Sequence, residues 1–143
     1  FNADKINNII EEEKALRRLI DLSRELGFLK DVLAETKTPL VVCYLPSRHQ
    51  VTNYYFQFER EYCLLDCPPK MDLTRPEYQA YQRSISATCA ALGLPFIDFS
   101  ETIRNEENRG NHLYWDYDEH MKAKGYQLLG EHLYREMKQM QLF

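Results

Sequence analysis

The sequence predicts an α/β domain in which helices cover both faces of a parallel sheet. Stretches with apolar residues three and four apart alternate with two short runs that are apolar without interruption. The order is helix, strand, loop, helix, strand, loop, helix. Strands buried on both faces lose the polar–apolar alternation, and such an order implies right-handed crossovers. At 143 residues the chain reads as a single domain, 1–143, near the common size for one hydrophobic core.

The first helix is expected over residues 9 to about 35. Ile9, Leu16, Leu19, Ile20, Leu26, Leu29, Val32 and Leu33 recur at helical spacing, with Gly27 as a possible break. Thr38-Pro39 stops this pattern, and Leu40–Leu45 follows as a buried strand ended by Pro46-Ser47. Residues 47–75 have no clean period; the aromatic stretch Tyr54–Tyr62 can form a short helix, and Cys67-Pro68-Pro69 is a breaker. From Pro76 a helix begins, with Tyr78, Tyr81, Ile85, Cys89 and Leu92 as its buried stripe and Gly93 as its close. Leu94–Phe99 is the second strand. Ser100 reads as the N-cap of a short helix through Arg104, and 105–119 as a polar loop. The last helix is expected over 122–140, with Tyr126, Leu129, Leu133, Met137 and Met140 inward.

Two strands flanked by helices make a thin core. Further strands are therefore expected N-terminal to Phe1, in a separate piece or in a second subunit, and Leu40–Leu45 should present an edge that they cover. The chain opens on Phe1 with no signal-peptide pattern near it, which predicts a chain processed, cleaved, engineered or incomplete at that end. No apolar run approaches the ~18 residues needed to span a bilayer. A formal charge of -4 without a basic stripe argues against nucleic acid as a partner. Cys43 and Cys89 read as buried free thiols, and Cys63 and Cys67 are read as reduced rather than as a local disulfide.

In open parallel sheets, reactive groups gather beyond the carboxyl ends of the strands. Those ends lead into Ser47–Val51 and Ser100, and the segment Tyr114–Tyr126 should open at the same edge. That segment holds Asp116, Asp118, Glu119 and His120 beside the only Trp, Trp115. Nucleophile activation needs an imidazole to take a proton and a carboxylate to fix its tautomer. Asp118 and His120, two apart in an extended loop, can face one cleft. Asp116 is the fallback acid, and a surface loop with His120 near the helix start is the plain alternative.

Three strings share a resemblance. PLVVCYLPSRHQV (39–51) resembles the fourth-strand region of bacterial SGNH/GDSL hydrolases, and LGLPFIDF (92–99) resembles their fifth strand. LYWDYDEHMKAKGYQLLGEHL (113–133) looks like their closing block, an Asp-x-His followed by Gly125 at the fifth position after the His. The resemblance implies a flavodoxin-like sheet, here its C-terminal portion, and a Ser-His-Asp triad with His120 as base and Asp118 as acid. It implies no cofactor. The family's Gly-Asp-Ser nucleophile motif is absent from this sequence, and Gly110-Asn111-His112 only faintly resembles its oxyanion block. Many relatives place the acid three before the His, where this chain has Tyr117.

The expected activity is a GDSL-type serine ester hydrolase acting on a small-molecule, carbohydrate or lipid ester, with the 143 residues inactive alone. The alternatives are an O-acyltransferase using the same triad and a non-catalytic SGNH-like binding module. The compartment stays open between a bacterial cytoplasm and cell envelope. Ser47 reads as a turn residue rather than a nucleophile, and His49 as a solvated loop residue rather than an anion ligand. His112, Asp116 and His120 have the composition of a metal triad without a ligand spacing, so no metal is expected. His132 reads as structural, and the 54–62 aromatics as core or lid packing more readily than as a substrate platform.

Overall fold

The computed structural model describes residues 12–61, 74–75 and 79–142, and for 12–20 and 59–61 the backbone alone. Its elements are α1 (Glu12–Glu35), β1 (Val42–Tyr44), α2 (Arg48–Val51), α3 (Phe56–Glu61), α4 (Ala80–Leu92), β2 (Phe96–Asp98), α5 (Ser100–Asn108) and α6 (Ala123–Gln139). The chain is a helix-rich α/β protein with a small parallel sheet. β1 and β2 pair with Val42 opposite Phe96, Cys43 opposite Ile97 and Tyr44 opposite Asp98. The pairing extends at both ends, Val42 N donating to Pro95 O at 3.0 Å and Phe99 N to Tyr44 O at 3.1 Å.

Strand alternation sorts the core into two layers. Val42, Tyr44 and Phe96 turn to one face, where Leu26 of α1 and Ile85 and Cys89 of α4 cover them. Val41, Ile97 and Phe99 turn to the other, against Ile103 of α5 and Leu128, Leu129, Leu133 and Met137 of α6. Helices thus lie on both faces, as the uninterrupted apolar runs require. Burying Ile97 and Ile103 contributes on the order of 2 kcal/mol each.

The helix stops are local. Thr38 N returns to Leu33 O at 3.0 Å while Lys37 takes a left-handed φ of 55° ahead of Pro39. At the end of α4, Gly93 has φ 64° and Leu94 N reaches Cys89 O at 2.8 Å. Lys30 Nζ donates to Leu92 O at 2.6 Å, which ties α1 to the same terminus. Gly27 does not break α1: the helix runs through it, lying against Leu92 of α4.

Four expectations are corrected. Ser100 is the first residue of α5 and not its cap; Asp98 Oδ1 accepts from Ser100 N at 2.9 Å. The helix runs on to Asn108 because Ser100, Ile103 and Glu107 form its buried stripe, so part of the supposed polar loop is helical. Tyr126 is 54% exposed and lies off the inward stripe of α6, where Leu128 packs instead. Cys43 is exposed, not buried. Tyr62, Cys63, Cys67 and Pro76–Tyr78 lie outside the described residues. Among the described residues β1 pairs with β2 alone, and Leu45 just beyond it is 48% exposed.

Gly125 sits where α6 starts against the preceding loop. A Cβ there would meet Leu113 O at 3.1 Å and Met121 Cε at 2.8 Å. The Met121 tip can move, but a backbone carbonyl yields less. Overpacking costs ~1–3 kcal/mol, against a helix-propensity gain of at most ~1 kcal/mol. Gly125→Ala is therefore expected to lose about 1 kcal/mol of stability in urea unfolding. A gain in stability would show that the loop gives way freely.

Candidate active site

The loop between α5 and α6 is held by a buried carboxylate. Glu107 Oε1 accepts from Leu113 N and from Tyr55 OH, both at 2.8 Å, and Oε2 lies 3.0 Å from His112 Nδ1. Tyr55 OH in turn accepts from Tyr114 N at 3.1 Å, and Tyr114 OH donates to Pro46 O at 2.8 Å. Burial pushes the phenols of Tyr55 and Tyr114 far above the ordinary range, so both remain protonated donors. These bonds seat Leu113 and Tyr114 just beyond the carboxyl end of β1.

From there the chain makes a closed turn. Tyr114 and Met121 form an antiparallel bridge, Trp115 N donates to His120 O at 3.0 Å, and Lys122 N donates to Leu113 O at 2.7 Å. Carbonyls of the turn point inward onto Arg48. Its Nη1 donates to Trp115 O at 2.8 Å, Asp116 O at 3.0 Å and Asp118 O at 2.9 Å. The Arg48 guanidinium carbon lies 5.3 Å from the centre of the Tyr55 ring.

The turn brings Asp118 and His120 together. Asp118 Oδ1 accepts from His120 N at 2.8 Å and lies 2.5 Å from His120 Nδ1. The His120 backbone amide, then its imidazole, hold the Asp118 carboxyl below the ordinary carboxylate range, with a further contribution from the Arg48 charge. The His120 side chain is 78% exposed, and among the described residues its Nε2 has no hydrogen-bond partner. Chemically this is an imidazole with one nitrogen tied to a carboxylate and the other free to take a proton. Asp116 does not compete for His120; its carboxylate lies 3.9 Å from Lys122 Nζ.

The other candidates fall elsewhere. Ser47 caps α2, and its buried Oγ has no hydrogen-bond partner among the described residues, so it does not serve His120. Arg48 and His49 are buried rather than solvated, because the single turn of α2 points them inward; His49 stacks on Phe56 at 4.5 Å. His112 stacks on Tyr54 at 3.6 Å besides its Glu107 contact. The described residues contain no metal-binding group of His, Cys, Asp and Glu, so His112, Asp116 and His120 are not gathered into one. Asn111 donates to Glu106 Oε2 and accepts from Lys124 Nζ, both at 2.8 Å, which commits it to the loop. His132 Nδ1 lies 2.8 Å from Thr102 Oγ1, a tie between α5 and α6. Tyr54, Tyr55 and Phe58 pack against the core and the loop, Phe58 meeting Tyr117 edge-on at 5.2 Å.

Arg48 and Glu107 went unrecognised in the sequence. A spacing of three and four from Ser100 and Ile103 to Glu107 was the available signal, hidden because Glu counts as polar. For Arg48 the local sequence carries no signal, since its three acceptors are backbone carbonyls far along the chain. Compared with known proteins, the chain matches no family model, no curated protein and no solved structure.

Proposed function

We propose that these residues supply the base and the orienting acid of a Ser-His-Asp triad in an SGNH/GDSL-type ester hydrolase with a flavodoxin-like sheet. The observation that carries the reading is the 2.5 Å contact between His120 Nδ1 and Asp118 Oδ1, with Nε2 turned to solvent. A catalytic base needs its free nitrogen open to the group it deprotonates. The dyad also stands beyond the carboxyl end of a parallel strand, where such folds place chemistry.

In this mechanism a Ser outside the 143 residues attacks the acyl carbon while its proton passes to His120 Nε2. Asp118 holds the imidazole in the Nδ1–H form and stabilises the imidazolium that results. The intermediate collapses, the alcohol leaves with the proton from Nε2, and an acyl-enzyme remains. Water, activated by the same nitrogen, releases the acid. The edge of β1 away from β2, unpaired among the described residues and with Cys43 and Leu45 exposed beside it, fits coverage by a further segment or subunit that brings the nucleophile.

The 143-residue chain alone should not hydrolyse p-nitrophenyl acetate above buffer, since loss of nucleophile and oxyanion donors removes nearly all triad catalysis. Supplied with a nucleophile-bearing segment, in cis or in trans, it should turn the ester over. Turnover by the chain alone that vanishes in Ser47→Ala would move the nucleophile to Ser47 and overturn this division of the triad.

A further inference from the structure

The geometry points to Arg48 as the positioning residue of the Asp118–His120 pair, the group whose guanidinium sets the shape of the turn that carries both. This rests on the triad reading for its functional meaning, though not for its structural test. Asp118 and His120 are 52% and 78% exposed, so packing does not hold their side chains. An exposed ion pair gains little by itself and must overcome the entropy of two side chains. The order has to come from the backbone beneath them.

That backbone is organised around one cation. Arg48 Nη1 carries two hydrogens but serves three carbonyl oxygens, those of Trp115, Asp116 and Asp118, so the hydrogens are shared. Three carbonyl dipoles converging in a short turn repel one another unless a positive charge sits at their focus. Arg48 is 1% exposed, so bulk solvent does not screen the three carbonyls. Arg48 is itself braced, since the Tyr55 ring lies 5.3 Å from its guanidinium and the Tyr55 hydroxyl is fastened to Glu107. A buried chain thus runs from Glu107 of α5 through Tyr55, just before α3, and Arg48 of α2 to the turn. The Asp118 carbonyl is one of its end points, and the Asp118 carboxylate two torsions away is the group that meets His120.

The expected consequence is specific to the imidazole. Free histidine favours the Nε2–H tautomer, whereas Asp118 selects Nδ1–H and leaves Nε2 bare. Two-bond 1H–15N correlation spectra of the 15N-histidine-labelled chain should show the Nδ1–H form of His120 in the parent. Arg48→Met should return His120 to a mixture led by Nε2–H, while the His132 signal, tied to Thr102 away from this network, stays in place. Arg48→Lys keeps the charge but on a side chain of shorter overall reach without the planar fork, and should give an intermediate mixture. In protein carrying the nucleophile, Arg48→Met should lower kcat by about 100-fold, and Arg48→Lys by roughly 10-fold, with KM within about twofold. If Arg48→Met does not fold, Arg48→Lys decides alone. An unchanged His120 tautomer and unchanged kcat in either folded variant overturn the assignment. His120→Ala in parallel separates the two readings: full activity there defeats the triad and leaves the tautomer result to judge Arg48, while lost activity beside a fully active Arg48 variant defeats Arg48 alone.

Discussion

His120→Ala is expected to abolish ester hydrolysis in protein that carries the nucleophile, and Asp118→Asn to lower turnover by about 10⁴. An Asn at 118 would still accept from the His120 amide, so the turn should survive. Its NH₂ group would compete to donate to His120 Nδ1, which selects the wrong tautomer and blocks Nε2 as a base. Asp116→Asn is the control, because Asp116 meets Lys122 rather than His120. It should change turnover by less than about threefold, as expected of a half-buried ion pair held only at 3.9 Å. A crippling Asp116→Asn beside a tolerated Asp118→Asn would reverse the assignment of the acid. The lowered carboxyl of Asp118 also sets a pH expectation. A depressed acid favours the folded turn above the ordinary value of about 4 and loses that contribution only as pH falls through its own lower value. The Asp118–His120 contact should therefore persist well into mild acid.

Glu107→Ala should produce the largest loss of stability of any substitution near the site. Its side chain is fully buried, and it accepts from Tyr55 OH and Leu113 N and meets His112 Nδ1. Truncation leaves Leu113 N buried without an acceptor and Tyr55 OH with only the long 3.5 Å contact to Tyr114 O, at ~1–3 kcal/mol for such a donor, and opens a cavity besides. We expect a loss on the order of 4 kcal/mol in urea unfolding. Glu107→Gln keeps an oxygen for Tyr55 and Leu113 and should cost roughly half as much. If the Ala variant unfolds within about 0.5 kcal/mol of the parent, the range of neutral surface changes, the loop is not held as described.

Much of the architecture was legible along the chain. In α1 the three-and-four spacing marks the helix, but Leu29 and Val32 are each 45% exposed. The same spacing in α4 and α6, the apolar runs of β1 and β2 and the closing Gly93 all report burial or a backbone turn that is decided within a few residues. The same holds for Asp118 and His120, whose contact is a matter of two positions in one loop. The errors lie where that locality fails. Gly27 does not interrupt α1, because packing on α4 outweighs a propensity cost of ~1 kcal/mol. Tyr126 sits at a helical spacing that the facing elements do not cover.

The sequence by itself therefore determined the α/β alternation, the parallel pairing and the meeting of Asp118 with His120. Only the tertiary structure decided that Arg48, His49 and Glu107 are buried. Arg48 lies 67 to 70 positions from the carbonyls it holds, and Tyr55 lies 52 from Glu107. Burying an apolar side chain is favourable against almost any neighbour, so its pattern shows in the chain alone. Burying a charge is tolerable only where particular partners meet it, and folding alone brings partners so distant in the chain together.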